Sequence, residues 1–178
     1  NYAYALEQLE ADFYTKVVNS FNGNITDEER QVLTDLYYHE VNHRDFFKTA
    51  ITAAVDGNTD LVLPTLEFDY GDLDFGNREQ VLTTASVLED TGVAAYNGAG
   101  RLISDPGYLL LAGKIVSVEA RHASAIRTLL NPGSADFAGD DYVTTDNGLA
   151  AALDPSAILA AVGDTGFITT PFTANNLP

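Results

Sequence analysis

The amino-acid sequence predicts an all-α protein, in which four helices form a bundle with a long crossover between the second and third helices, followed by a mostly irregular C-terminal tail. Apolar residues recur at steps of three and four in four segments, which is the periodicity of helices that bury one face. Residues 58–76 instead hold a proline, two glycines and alternating apolar residues, which predicts an extended connection. About twenty extended residues reach roughly 65 Å, and a thirty-residue helix is roughly 45 Å long, so this connection can run the length of a bundle. We predict that the bundle comprises residues 1–133 and the tail residues 134–178.

The first half of the bundle is predicted to be a helical hairpin. Its first helix spans residues 2–21 and stops at the Asn-Gly-Asn sequence of residues 22–24. Thr26 is placed to cap the second helix, because Glu29 follows three residues later and completes a capping box. The apolar stripe of the second helix ends before the Asp-Gly-Asn sequence of residues 56–58.

The second half repeats this layout after the crossover. Asn77 is the predicted cap of a third helix that continues to Ile103. Pro106 stands at the first position of a fourth helix, where a missing backbone N–H has no cost, and that helix stops at residues 131–133. The tail is predicted to hold one short helix, from Pro155 to near Val162, and to pack on the bundle or on a neighbouring subunit. Packing is expected because four apolar side chains stand near the end of the chain, namely Phe167, Ile168, Phe172 and Leu177.

Composition excludes several classes of function. The net charge is −17, from 9 Lys and Arg against 26 Asp and Glu, whereas nucleic acids and anionic membrane surfaces bind basic patches. The sequence contains no cysteine, which excludes disulfides, thiolate zinc sites and cysteine nucleophiles. No apolar run is long enough to span a bilayer. The Asn, Thr, Asp and Gly content outside the helices favours an exported protein, either periplasmic or extracellular.

Two Glu-x-x-His motifs predict a metal site inside the bundle. On a helix, residues three apart share a face, so each motif can present a carboxylate and an imidazole to one point. One further glutamate lies on the apolar stripe of each remaining helix, at a matching height along its hairpin. Two divalent cations would balance the four carboxylates, and this ligand set on four helices with a long crossover is that of the ferritin-like fold. The predicted metal ligands are Glu7, Glu40, His43, Glu89, Glu119 and His122.

Several alternatives stay open for the residues around this site. Glu10 shares a face with Glu7, so it is a second candidate for the ligand on the first helix, or a carboxylate behind the ligands that passes incoming metal to them. Tyr14 and Tyr96 follow the single glutamates by seven residues and would bind the ligand carboxylates, relay electrons or serve as core aromatics. His39 is expected at the surface. A hydrogen-bonded network of protonated glutamates and histidines without metal is the alternative to the metal site.

Several stretches of the sequence resemble a known family. The seven-residue step from Glu7 to Tyr14, together with Glu-x-x-His, resembles ferritins, bacterioferritins and rubrerythrins. The stretch Leu-Glu-Asp-Thr-Gly-Val-Ala-Ala-Tyr that ends at Tyr96, and Ala-Ile-Arg-Thr-Leu-Leu at residues 125–130, resemble the ferritin-like domain of desiccation- and stress-related proteins. The resemblance covers residues 2–131 and implies a ferritin-like fold and export. Some members lack one histidine of the ligand set, whereas this chain keeps both.

Two functions follow from these predictions. The first is a redox-active centre with two iron or manganese ions, iron being slightly favoured, that acts as a ferroxidase or detoxifies oxygen or peroxide in stress protection. Its partners would be the metal ions and O₂ or peroxide, and the protein would be a homo-oligomer assembled through the C-terminal tail. The second is a structural or assembly protein of a stress coat or extracellular polymer, which uses the bundle as a scaffold and in which any metal is structural.

Overall fold

The structure is a computed structural model that describes residues 1–173; residues 174–178 of the predicted tail, Leu177 among them, lie outside the described residues. Between the helices, the described part of the chain forms short 3₁₀ turns, isolated β-bridges and irregular segments but no β-strand. The prediction of an all-α fold with a mostly irregular tail is therefore confirmed. The helices are α1 (Tyr2–Asn19), α2 (Asp27–Ala54), α3 (Arg78–Ala99), α4 (Pro106–Leu130) and α5 (Pro155–Thr165).

The predicted helix starts are confirmed by their capping hydrogen bonds. The Thr26 hydroxyl accepts a hydrogen bond from the Glu29 N–H at 3.2 Å, and the Glu29 carboxylate accepts one from the Thr26 N–H at 2.8 Å. Asn77 caps α3 with its side-chain oxygen, and Pro106 occupies the first turn of α4. These bonds satisfy N–H groups that have no partner inside a helix, which is why the starts could be predicted from local sequence.

The predicted helix ends differ from the structure by a few residues. Helix α1 ends at Asn19 rather than at residue 21, because the Ser20 N–H turns back to the Val17 carbonyl. Helix α3 ends at Ala99 and tightens into a 3₁₀ turn before residue 103, and α5 continues three residues beyond Val162. Apolar side chains past a helix end continue the apolar pattern without continuing the helix, so the pattern alone overestimates α1 and α3.

The described chain forms two compact units. Unit 1 comprises residues 1–76 and those from 161 onward, and in it α1 packs against α2. Unit 2 comprises residues 77–160, and in it α3 packs against α4. Each unit is thus a helical hairpin with its own buried apolar side chains, completed by irregular segments.

In unit 1 the crossover, residues 55–76, runs alongside α1 as the length argument allows. Hydrogen bonds join it to the start, the middle and the far end of that helix. Tyr70 of the crossover is buried and its ring lies 5.3–6.0 Å from the rings of Phe13 and Phe75. The segment after α5 joins the crossover through an antiparallel bridge between Phe68 and Ile168. The hydrogen-bonded pairs are Asn1–Leu61, Gln8–Leu66, Leu9–Tyr70 and Asn22–Gly76.

In unit 2 the first part of the tail, residues 134–154, folds back on α3 and α4, and we call it the return segment. The Cβ position of Gly98 would lie 1.8 Å from the carbonyl oxygen of Leu153, so the return segment touches the α3 backbone where a side chain is missing. Any side chain at this position would collide with the segment. Three hydrogen bonds of 3.0–3.1 Å fix the contact, Leu153–Ala94, Asn97–Ala151 and Ser124–Phe137.

Candidate metal centre

Unit 1 brings together Glu7, Glu40 and His43, which we call triad 1. Glu7 projects from α1, and Glu40 and His43 project from one face of α2, three residues apart. The His43 Nδ1 atom lies 3.4 Å from Glu7 Oε2 and 3.3 Å from Glu40 Oε2. Both carboxylates are fully buried, and 13% of the histidine side chain is exposed.

Unit 2 brings together Glu89, Glu119 and His122, which we call triad 2. Glu89 projects from α3, and the Glu-x-x-His pair projects from α4. The His122 Nδ1 atom lies 3.3 Å from Glu89 Oε2 and 3.7 Å from Glu119 Oε2. Both carboxylates are again fully buried, and only 3% of the imidazole is exposed. Each hairpin therefore contributes two buried carboxylates and one imidazole in the same arrangement.

The distances within the triads fit donors that share a cation. Within each triad the ligand atoms lie within 4.8 Å of one another. Two donors bound to one ion at about 2.1 Å are held about 3.0–3.4 Å apart, for bond angles between octahedral and tetrahedral. A good N–H···O hydrogen bond is shorter, about 2.7–3.2 Å. The contacts of 3.3–3.7 Å in the triads resemble the spacing of two ligands on one ion more than the length of a hydrogen bond. Carboxylates with an imidazole are also a suitable donor set for a divalent transition metal.

The structure distinguishes the two acidic residues of α1. Glu7 belongs to triad 1, whereas Glu10, although also buried, is in neither cluster of candidate ligands among the described residues. Instead the Glu10 carboxylate lies close enough to Tyr70 to contribute to its electrostatics: burial raises the pKa of the Tyr70 hydroxyl, and the negative charges of Asp12 and Glu10 raise it further. The charge of Glu10 therefore acts on Tyr70 of the crossover, whereas Glu7 lies against His43.

The other predicted residues are placed as follows. Tyr14 is fully buried and its ring stacks edge-on against Phe13 at 5.1 Å between centroids. Tyr96 is buried in α3, with 9% of its surface exposed. His39 is exposed, as the sequence predicts for a surface histidine. Both tyrosines are thus core residues by position.

Two supporting residues are not predicted by the sequence. Gln8, next to Glu7, is 4% exposed, and its amide donates to the Pro64 carbonyl at 3.2 Å and accepts from the Leu66 N–H at 2.9 Å. The Gln8 side chain therefore makes the hydrogen bonds to the crossover backbone that a neighbouring β-strand would otherwise make. These bonds hold the crossover beside α1. A polar residue inside an apolar stripe is a signal that could have been noticed, but its partners lie 56 and 58 residues away.

In unit 2, Arg127 supports the residue that follows Glu89. Its guanidinium binds Asp90 of α3 at 2.6 Å and Asp141 of the return segment at 2.7 Å, and the Arg127 and Asp90 side chains are only 12% and 16% exposed. Burial raises the pKa of the Asp90 carboxyl despite the arginine, whereas hydrogen bonds from Arg127 lower the pKa of the exposed Asp141. The arginine therefore joins α3, α4 and the return segment directly behind triad 2.

Comparison with known proteins agrees with this geometry. A family model described as a ferritin-like domain matches residues 1–132, a range that contains both triads and the crossover. A sequence comparison with curated proteins finds no match. Among the described helices, none combines the length and the apolar character that crossing a membrane requires.

Proposed function

Since the chain belongs to the family of ferritin-like domain proteins, we propose that triad 1 and triad 2 hold the two metal ions of one centre, iron or manganese. The observation that carries the proposal is that each hairpin contains two fully buried carboxylates and an imidazole with ligand atoms within 4.8 Å of one another. That the six ligands serve one centre is inferred from sequence, because Glu7 and Glu40, like Glu89 and Glu119, fall at matching heights in their hairpins.

Charge supports a metal over a network of protonated side chains. Four buried carboxylates beside two imidazoles carry four negative charges when ionised, and burying them without counter-charge would be very unfavourable. Two divalent cations neutralise this charge. The Arg127 guanidinium does not serve this purpose for triad 2, because it is already bound to Asp90 and Asp141.

The donor set favours iron or manganese, with iron slightly preferred. Four carboxylates and two imidazoles supply mostly oxygen ligands, which suit iron and manganese better than copper or zinc. In both triads the imidazole presents Nδ1 to the carboxylates, so Nδ1 is the ligand atom we assign to His43 and His122. With Nδ1 as the ligand atom, a hydrogen bond at Nε2 would orient each imidazole.

A redox reaction is the activity that this set of residues supports best. When bound, paired iron or manganese ions supply reversible one-electron steps that reduce O₂ or peroxide, and ferrous iron itself can be the substrate of such a centre. The chain contributes a buried site, in which full burial of the four glutamates excludes bulk water. Glu10 would pass incoming metal toward Glu7, and Tyr14 and Tyr96 would hold phenols near the ligands. We propose ferroxidase activity or removal of oxygen or peroxide, in an exported protein of stress protection related to the desiccation family.

Metal loading followed by oxidant consumption tests the proposal. Metal-free protein is incubated anaerobically with Fe²⁺ or Mn²⁺, the bound metal is counted, and O₂ or H₂O₂ consumption is then measured. We expect two ions per chain and consumption of at least one oxidant. Glu89→Gln removes a ligand charge at the same volume and should reduce the count, whereas Glu79→Gln, at an exposed position of the same helix, should not.

Two results would overturn parts of this proposal. Binding of no more than a trace of either metal would exclude the centre. Full loading without consumption of O₂ or peroxide, together with a large gain in melting temperature, would exclude the redox activity and support the structural or assembly function.

A further inference from the structure

Three aromatic rings in unit 1 form a line of contacts from α1 to the crossover, and we call Tyr14, Phe13 and Tyr70 the aromatic path. Tyr14 follows Glu7 of triad 1 by seven residues, so it stands two helical turns, or about 10 Å, further along the same face of α1. The ring centroids of Tyr14 and Phe13 are 5.1 Å apart, and those of Phe13 and Tyr70 are 6.0 Å apart. The first two residues are fully buried, whereas Tyr70 is 6% exposed. The aromatic path therefore begins near triad 1 and ends close to the surface.

The outer end of the aromatic path lies against an ion pair. The Lys16 Nζ atom is 5.4 Å from the centre of the Tyr70 ring and 2.8 Å from Asp12 Oδ2. Burial raises the pKa of the Tyr70 hydroxyl, and the charge of Asp12 and its hydrogen bond to the phenol raise it further. The side chains of Lys16 and Asp12 are 39% and 29% exposed. A protonated phenol thus stands beside a carboxylate that solvent reaches.

Packing alone does not require this carboxylate. A buried phenol needs one hydrogen-bond partner, and the Leu9 carbonyl lies 3.3 Å from the Tyr70 hydroxyl. A phenylalanine at position 70 would fill nearly the same volume beside Phe13. Asp12 adds a base in contact with the phenol. Because a phenol that has lost an electron is a strong acid, a base in hydrogen-bond reach allows the electron and the proton to leave together.

We propose that Tyr70 is the outer end of an electron relay to the metal centre and that Asp12 takes its proton. The inference rests on the redox function proposed above, since the electron acceptor is the centre after its oxidation by O₂ or peroxide. Tyr70 gives up one electron, which passes along the aromatic path and reduces the centre by one unit. The phenol O–H bond breaks as its proton moves to Asp12. The products are a neutral tyrosyl radical and a protonated carboxyl group.

The position of Tyr70 explains why the relay continues beyond Tyr14. Tyr14 is fully buried, so no dissolved reductant can reach a radical there. At Tyr70 a small reducing enediol, such as ascorbate, supplies one electron from solvent, and Asp12 returns the proton to the phenol. The relay thereby moves an oxidising equivalent away from the buried ligands of triad 1 and allows its repair at the surface.

Freeze-quench electron paramagnetic resonance of the iron-loaded chain mixed with H₂O₂ is the first test. We expect a tyrosyl radical that ascorbate quenches. Tyr70→Phe should remove most of the radical that ascorbate quenches, because the remaining tyrosine of the aromatic path is buried. Tyr38→Phe is the matched control, since it removes one hydroxyl from a tyrosine of unit 1 that is 57% exposed, and it should leave the radical yield unchanged.

The metal-free chain tests the same residues independently of the centre. A flash-generated ruthenium(III) complex removes one electron from tyrosine, and the tyrosyl absorbance gives the rate. We expect a fast phase that Tyr70→Phe abolishes and that Asp12→Asn slows about 100-fold, which is the usual contribution of a positioned general base. Asp35→Asn is the matched control, because Asp35 is exposed and hydrogen-bonds to Gln31, and it should leave the rate unchanged.

Two results would overturn the relay. One is a fast phase that Asp12→Asn does not slow, and the other is a quenchable radical whose yield is the same in Tyr70→Phe. Circular dichroism checks that each variant folds; if Tyr70→Phe does not, Asp12→Asn replaces it in both measurements. Oxidant consumption without any tyrosyl radical would also overturn the relay but leave the redox function intact, whereas a loaded chain that consumes no oxidant would overturn both.

Discussion

The two helical hairpins hold the same three donors, but different irregular segments stabilise them. In unit 1 the crossover lies along α1, and Gln8 attaches it beside triad 1. In unit 2 the return segment lies on α3 and α4, and Arg127 attaches it behind triad 2. The two hairpins therefore share the same types of metal donor but differ in the contacts that stabilise them. Each triad depends on a segment that is far from it in sequence and that differs chemically from its counterpart, a neutral amide in one unit and an ion pair in the other.

The second difference between the hairpins is solvent access. The His43 side chain is 13% exposed and the His122 side chain 3%. A metal ion held by triad 1 is therefore reached more easily by solvent and by chelators than one held by triad 2. Under our proposal, one half of the centre exchanges its metal faster than the other.

Removal of metal should have the largest effect. At a free metal concentration 100 times the dissociation constant, each occupied site adds about 2.7 kcal/mol to the free energy of unfolding, so two sites add about 5 kcal/mol. For a domain of this size, chelation should lower the melting temperature by roughly 10–20 °C. Metal counting during chelation should show two phases, with the ion of triad 1 leaving first. In His43→Ala the fast phase should disappear, and in His122→Ala the slow one; a single phase in the unmodified chain would contradict the difference in access.

Arg127→Ala should have the next largest effect, because it leaves the mostly buried Asp90 without its counter-charge. Breaking such a pair lowers the free energy of unfolding by about 3 kcal/mol, measured by urea denaturation. The matched control is Arg101→Ala, whose ion pair with Asp154 is 66% and 67% exposed and should contribute less than about 1 kcal/mol. Equal losses in both variants would mean that the return segment does not depend on the buried pair.

Gln8→Ala tests the corresponding contact of unit 1. It removes two hydrogen bonds to the crossover and leaves the buried Leu66 N–H without its acceptor, which should lower the free energy of unfolding by about 2 kcal/mol. Gln31→Ala, which loses one exposed hydrogen bond to Asp35, should change stability by less than about 0.5 kcal/mol.

Isothermal titration with metal would sharpen the comparison between the two units. Gln8→Ala should weaken metal binding at triad 1, and Arg127→Ala should weaken metal binding at triad 2. Equal weakening of both sites by either variant would show that the supports are shared.

Gly98→Ala should have the smallest effect of the four. The new methyl group would collide with the Leu153 carbonyl, so the return segment must shift, at a cost of about 1–2 kcal/mol. Gly113→Ala in α4 meets no atom within 4 Å and should raise the free energy of unfolding by about 0.5–1 kcal/mol. Opposite signs for the two substitutions in thermal denaturation are the expected result, and a neutral Gly98→Ala would mean that the segment is not packed on α3.

The parts of the fold that could be predicted from sequence are those encoded locally. The capping box of Thr26 and Glu29 lies within four residues, and the Glu-x-x-His spacing is a property of one helical turn. By contrast, Gln8 bonds to residues more than fifty positions away, and Arg127 binds Asp141 in a segment without periodicity. That Glu7 rather than Glu10 belongs to triad 1 likewise required the structure, since a spacing of three residues makes either side chain a candidate for the same site.

The antiparallel bridge between Phe68 and Ile168 has a consequence for biosynthesis. The Glu67 N–H donates to the Thr170 hydroxyl across 103 residues of sequence, whereas the contact between Arg127 and Asp90 spans 37. During synthesis from the N-terminus, the hairpin of α1 and α2 leaves the ribosome early but lacks this partner until residues 167–170 have also been made. The crossover therefore stays without this pairing until residues 167–170 emerge, so a contact of long sequence separation completes unit 1.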